Sequence, residues 1–227
     1  MIKIEKSEVY GWEIAIRGMR NPLNSWDKSD TGWINESLDD DLPDAIDFDF
    51  DNLTRKVIGE NDLALMKKLV KAGSDHRKFM RFITVSLDIT APLYWWKEFD
   101  TYKVGTVANS CSTMHKIHAK EFTLDDFSHE HLINEGENAG TYKYCLSGTI
   151  AHLNHAREKY LETKDKRYWW QMIQLLPTSY NQKRTVLLNY EVLRNMYHSR
   201  KAHKLDEWRD FCKWIETLPY HELITEE

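Results

Sequence analysis

The chain has 227 residues, 41% of them apolar and 30% charged, which is the balance of one large globular domain or two small ones rather than of a disordered segment. Its net charge of −5 excludes a whole-protein field that attracts nucleic acid. The sequence has no run of 18 apolar residues, so no membrane partner is expected. The N-terminal MIKIEKSEVYGW lacks the apolar core of a signal peptide. The three cysteines, Cys111, Cys145 and Cys212, are scattered, odd in number and form no CxxC, which points to a reducing cytoplasm.

In chain order, residues 1–10 alternate apolar and polar and predict a strand. Residues 17–37 carry Asn, Pro, Gly and Ser throughout and read as a loop, with Arg17 or Arg20 as a further phosphate ligand or plain surface. The run 36-ESLDDDLPDAIDFDFDN-52 is acidic. Its Asp47, Asp49 and Asp51 have the spacing of a calcium loop, but Asn52 stands where the sharp-turn Gly belongs and Ile58 where the bidentate Glu belongs; a solvated acidic loop is expected instead.

Asn61 or Asp62 is expected to cap a helix that stops at Gly73, with Leu65, Met66, Leu69 and Val70 on one stripe. Residues 79–90 alternate as a strand, Pro92 ends it, and 93-LYWWKEF-99 begins a helix. The stretch 100-DTYKVGTVANSCSTMH-115 is almost all small or hydroxylic, either a turn or a phosphate cradle. Thr123 and Asp126 mark a helix start over 123–133. Residues 134–140 form a linker, followed by helices over roughly 142–163, 166–175, 184–200 and 203–217. Strands and helices mix without regular alternation. The class is therefore α+β, with a mixed or antiparallel sheet, a helical C-terminal half and one domain over 1–227.

No GxGxxG or GxxxxGK[ST] is present. The histidine pairs His115/His118, His129/His131 and His152/His155 lack a Cys or Glu at a recognised metal spacing, so no metal is expected. Cys111 lies beside Ser110 and Ser112 with His115 four residues on, and a plain Cys is the better reading than a nucleophile. The segment 184–204 reads as a helix with Leu187, Leu188, Val192 and Met196 as its buried stripe. Asn189 and Arg200 stand eleven residues apart, close to three turns, so they share a face. Arg200, His203 and Lys204 crowd its end, either offsetting the helix dipole or forming an anion or nucleobase site.

At these residues the chain resembles the flavin-dependent thymidylate synthases (ThyX). 176-LP-177 is followed twelve residues later by Asn189, and 189-NYEVLRNMYHSR-200 matches that family's NxRxLxNFxxLR helix at Asn189, Leu193, Asn195 and Arg200. 205-LDEWR-209 stands where the family has AQxEIR. Upstream, His76 lies sixteen residues before Pro92, as the family's His does. The stretch 100–115 takes the place of the loop RHRxxSxNExSxRY, matching it at Asn109 and Ser112. Residues 55–217 follow the family's order of elements, and 1–54 add an N-terminal strand and a variable acidic loop.

The departures concern charge. The RHR triplet becomes Thr101-Tyr102-Lys103 or Tyr102-Lys103-Val104, the Glu after Asn109 becomes Ser110, the closing RY becomes Met114-His115, and Glu191 stands where the helix has Arg. Each lost charge-assisted hydrogen bond is worth roughly 1.5–3 kcal/mol, and hydroxyls and backbone amides of the small-residue loop are the available substitutes.

The resemblance implies a homotetramer binding FAD at subunit interfaces. It implies methylation of dUMP with methylenetetrahydrofolate and reduction by FADH₂, itself reduced by NADPH. Carried over residue by residue, Arg200 meets the uracil edge and Ser112 the dUMP phosphate. His76, Asn189 and Asn195 face the flavin. Lys103 is the remnant of the cation triplet, Asn109 keeps the loop's Asn, and Lys204 stands where the family often has His. Two alternatives remain. One is transfer of a methyl or hydroxymethyl group to another pyrimidine nucleotide, with Glu191 accepting from an exocyclic amino group. The other is a non-catalytic nucleotide-binding relative.

Overall fold

The computed structural model describes residues 1–35, 44–133, 135–136 and 140–227. Most of the acidic run before Asp44, and four positions of the expected linker, lie outside the described residues. The chain divides into two compact units, one of residues 1–5, 88–101 and 108–185, the other of 6–87, 102–107 and 186–227. The strands β1 (Lys3–Tyr10), β5 (Thr84–Pro92), β7 (Asn181–Asn189) and β6 (Val107–Ser110) form a sheet in that order. The class is α+β, as expected.

In the first unit, α3 (Leu93–Phe99) carries a knot of aromatic rings: Trp96 lies 4.9 Å and Phe99 5.1 Å from Trp95. Pro92 starts the helix in extended backbone, and the orphan amides of Leu93 and Tyr94 donate to the carbonyls of Tyr180 and Thr178, each at 3.0 Å. α4 (Thr141–Thr163) and α5 (Lys166–Leu175) form a helical hairpin. Lys164 turns the chain in the left-handed region at φ 56°, and Asp165 caps α5 by accepting from the Arg167 amide. Leu153, Ala156 and Met172 of the hairpin pack on Ile117, Phe122 and Phe127. Thr123 and Asp126 do form a capping box, but it opens a single 3-10 turn over Leu124–Asp126 rather than a helix to residue 133.

In the second unit, α1 (Trp12–Arg20) takes in residues 17–20, the start of the stretch read as loop over 17–37, with Trp12, Ala15, Ile16 and Met19 buried at helical spacing. β2 (Gly32–Asn35), β4 (Thr54–Val57) and β3 (Ala45–Asp49) form an antiparallel sheet with β4 in the middle. The second half of the acidic run is thus strand and turn. Asp49 closes the turn by accepting from the amides of Asp51 and Asn52, an Asx turn and not a calcium loop.

α2 (Glu60–Lys71) starts after Gly59, so neither Asn61 nor Asp62 is its cap. Asp62 faces inward instead and is fully buried. Residues 79–83 belong to a 3-10 segment (Arg77–Arg81) and the turn after it, so the alternation read over 79–90 becomes strand only from Thr84. The largest correction is at 184–189: these residues end β7, and α6 runs only over Tyr190–Arg200. Val186 and Leu188 are buried while Leu187 is exposed, the alternation of a strand. α7 (Asp206–Ile215) and α8 (Glu222–Thr225) complete the unit. Arg194 of α6 reaches the carbonyls of Ile224 at 2.9 Å and Glu226 at 2.5 Å, satisfying the end of α8.

Candidate functional site

Six of the eight residues singled out in the sequence belong to the second unit: His76, Lys103, Asn189, Asn195, Arg200 and Lys204. Asn109 and Ser112 belong to the first.

The second-unit group is organised by the ends of α6. Asn189 is where β7 stops. Its backbone is extended and its Oδ1 accepts from the Val192 amide at 3.0 Å, capping the helix. The same amide's Nδ2 points at Gly105. A Cβ built on Gly105 would meet Nδ2 at 2.4 Å, and Gly105 holds φ +73°. Only glycine combines that backbone conformation with that approach. The segment 102–107 is thereby laid against the start of α6.

Arg200, the last residue of α6, is met by the same segment. Its Nε donates to the Tyr102 hydroxyl at 3.0 Å. Its guanidinium lies 4.9 Å from the Trp208 ring and 5.7 Å from the Tyr102 ring. Trp208 is fully buried on α7, so the platform beneath the cation is fixed. Neither aromatic is legible as an Arg200 partner from spacing. Tyr102 occupies the slot of the family's triplet, and that is the signal that could have found it.

Lys103 follows Tyr102, is exposed, and forms no hydrogen bond or ion pair among the described residues. Asn195 is exposed on α6, and Lys204 is exposed just past its end, where the Lys204 carbonyl accepts from Arg209. His76 is exposed at the turn after α2. Its neighbour Arg77 donates through Nε to Glu191 at 2.8 Å, which ties the His76 segment to the first turn of α6. Glu191 is buried and its carboxylate is engaged by Arg77.

In the first unit, Ser112 is exposed. Its Oγ accepts from the amides of Met114 at 3.2 Å and His115 at 2.8 Å, a local turn that leaves the hydroxyl proton to donate. Asn109 is exposed in β6. Cys111 is exposed too, and its backbone pairs with Lys183 and the Gln182 side chain. Among the described residues no three His, Cys, Asp or Glu side chains converge as a metal site would require.

Arg20 is no phosphate ligand. It is buried and its Nε donates to Asp62 at 2.6 Å. Asp62 also accepts from the hydroxyls of Ser29 and Thr31, each at 2.7 Å, and from the amides of Asp30 and Thr31. Burial pushes the Asp62 carboxyl up, but the hydrogen bonds from Ser29, Thr31 and Arg20 outweigh it and hold the group below its ordinary value.

No protein-family model matches the chain, and no curated protein matches it. Solved structures do. One is the flavin-dependent thymidylate synthase ThyX from Helicobacter pylori complexed with FAD and dUMP. It has a TM-score of 0.65 and 15% identity, over 99% of this chain and 98% of that one. A second structure of that enzyme with FAD and dUMP gives the same score and identity over 100% and 98%. The UMP/dUMP methylase PolB from Streptomyces cacaoi, bound with 5-Br dUMP, has a TM-score of 0.56 and 13% identity over 99% and 95%. Over its whole length the chain has the fold of the flavin-dependent thymidylate synthases, while its sequence diverges strongly from theirs. No helix among the described residues is long and apolar enough to cross a membrane.

Proposed function

We propose that this chain is a flavoenzyme that binds dUMP and methylates it reductively to dTMP, taking the one-carbon unit from methylenetetrahydrofolate and two electrons from NADPH. The observation that carries this reading is the pair of contacts made by segment 102–107: Gly105 on the Asn189 amide and Tyr102 on the Arg200 guanidinium. They lay one segment along α6, touching the two best-matched positions of the sequence, Asn189 capping its start and Arg200 at its end. The fold is the one in which the Helicobacter pylori enzyme is complexed with FAD and dUMP.

The residues present fit a flavin nucleotide. Gly105, having no Cβ, lets the Asn189 amide pack directly against the backbone of this segment. Lys103, His76 and Lys204 are exposed donors, and Asn195 offers an exposed amide. These would hold FAD, with Lys103 as the charge for its diphosphate and Asn189 and Asn195 as hydrogen-bonding groups for its ring. Bound FAD, once reduced, supplies the hydride.

The protein's own residues do the rest. Arg200 presents a guanidinium to the uracil edge, where it stabilises negative charge developing on the ring. Tyr102 and Trp208 hold that guanidinium in one orientation, so that little rearrangement is needed during the reaction. Ser112 keeps a hydroxyl proton able to donate to a phosphate oxygen, the role the resemblance implies for its loop. No protein nucleophile enters the scheme, and Cys111 is left out of it. The assembled form is a homotetramer.

A second reading, methylation of UMP, is favoured by the likeness to PolB, a UMP/dUMP methylase. Complementation of a thymidine-requiring strain tests the main reading. Growth with the wild-type gene and its loss with Arg200→Ala are expected. Failure of the wild type to complement, with the protein expressed and folded, contradicts it. In vitro methylation of UMP but not dUMP would select the second.

A further inference from the structure

A cleft of about 330 Å³ in the second unit uses none of the residues assigned above. Glu13, Ile16, Arg17 and Arg20 of α1 line it together with Trp26 and Lys56 of β4. Its floor is built. Arg20 is committed to Asp62, and the Ser29 and Thr31 hydroxyls on the same carboxylate hold the surrounding turn in place. Ile16 supplies a buried apolar surface.

The wall is a fixed aromatic. The Trp26 indole is 49% exposed, yet its Nε1 donates to Asn21 Oδ1 at 2.8 Å, which sets the ring's orientation. A tryptophan face that is both held and open to solvent is a stacking platform whose ordering cost is already met. The charges then sort themselves. Arg20 is neutralised by Asp62, and Lys56 by Glu13. Arg17 is exposed and makes no hydrogen bond or close ion pair among the described residues, acting on Glu13 only through space. One cation is therefore in excess, in a cleft with one open aromatic face.

We propose that this cleft binds a planar aromatic ring carrying a single anionic group, phosphate or carboxylate, with the ring on Trp26 and the anion on Arg17. The volume suits a ligand no larger than a mononucleotide. The proposal goes beyond the synthase reading and shares no residue with it; Arg200→Ala removes that reading's uracil contact, and the Trp26 and Arg17 substitutions report on this cleft alone.

The test is calorimetric titration of the full chain carrying Arg200→Ala with four probes. AMP offers ring and phosphate, p-aminobenzoate ring and carboxylate, adenosine the ring alone and glycerol 3-phosphate the anion alone. AMP or p-aminobenzoate is expected to bind, and the tighter of the two identifies the anion. Adenosine and glycerol phosphate are expected to bind at least tenfold more weakly. Trp26→Ala and Arg17→Gln are each expected to weaken binding at least tenfold, and Trp26→Phe less than threefold. Absence of binding by both AMP and p-aminobenzoate at millimolar concentration overturns the proposal. So does binding that either Trp26→Ala or Arg17→Gln leaves unchanged.

Discussion

Asp62 gathers a guanidinium, two hydroxyls and two amides on one fully buried carboxylate. Removing its charge would leave Arg20 buried without a counter-ion, a change that typically costs about 3–5 kcal/mol. Asp62→Asn is therefore expected to lower urea-unfolding stability by about that amount; a loss below about 1 kcal/mol would mean the network is not holding α1 and α2 together. The carboxyl's value is depressed in the folded chain, so its contribution is complete above the ordinary aspartate value of 3.8 and is lost as pH falls through the lower folded value. Stability of the wild type is expected to fall in that acid window and that of Asp62→Asn to fall less.

Tyr102 calls for a separate measurement. Tyr102→Phe keeps the ring and deletes the hydroxyl that accepts from Arg200. The bond is already made in the free chain, so its loss is expected to lower stability by up to about 1.5–3 kcal/mol and, by releasing the guanidinium from its orientation, to weaken dUMP binding as well. Unchanged affinity would show that Arg200 is placed without it. The shared helical face read for Asn189 and Arg200 does not hold, because Asn189 caps α6 in extended backbone while Arg200 ends it. Tyr102 and Trp208 were not legible, because their contacts with Arg200 come from a loop and from another helix, which residue number does not locate. Asp62 was misread as a cap for a related reason: local patterning shows a carboxylate at a helix start, but not that Arg20 is waiting inside.

At the scale of elements, the junction of β7 and α6 matters most. Residues 184–200 read as one helix because Leu187, Leu188, Val192 and Met196 fall on a helical stripe. Yet Val186 and Leu188 are buried on the strand face and Asn189 breaks the run as a cap. Both periods fit so short an apolar segment, and the sheet decides between them. The hairpin α4–α5 was legible: the helices read over 142–163 and 166–175 match α4 and α5 to within one residue. Asn189 serves both as cap and as the amide beside Gly105, and two substitutions separate these roles. Asn189→Ala loses the cap and is expected to cost about 1 kcal/mol of stability. Asn189→Asp keeps the cap but places a carboxylate where the Nδ2 donor stood. It is expected to hold stability within about 0.5 kcal/mol of wild type while FAD affinity falls at least tenfold. Equal losses of affinity in both variants, tracking stability, would deny the amide a role in binding.

At the scale of the whole molecule, the fold is matched where the cation set is not. The fold is matched over 99% of the chain at 15% identity. Where the resembled family has an arginine-rich loop, this chain has Tyr102, Lys103, Gly105 and hydroxyls. Burial patterns and the order of elements tolerate such change, since a core needs volume and polarity rather than particular side chains. A homotetramer is expected in light scattering, at four times the chain mass; a monomer at micromolar concentration would contradict the proposed assembly. The central claim, that this loop and helix still hold flavin and a pyrimidine nucleotide, is tested most directly by one spectrum. The purified chain is mixed with FAD, passed through gel filtration and scanned in the visible during addition of dUMP. Retained flavin absorbance that shifts with dUMP and saturates is the expected result. Colourless protein, or retained flavin that neither dUMP nor UMP perturbs, would contradict the account.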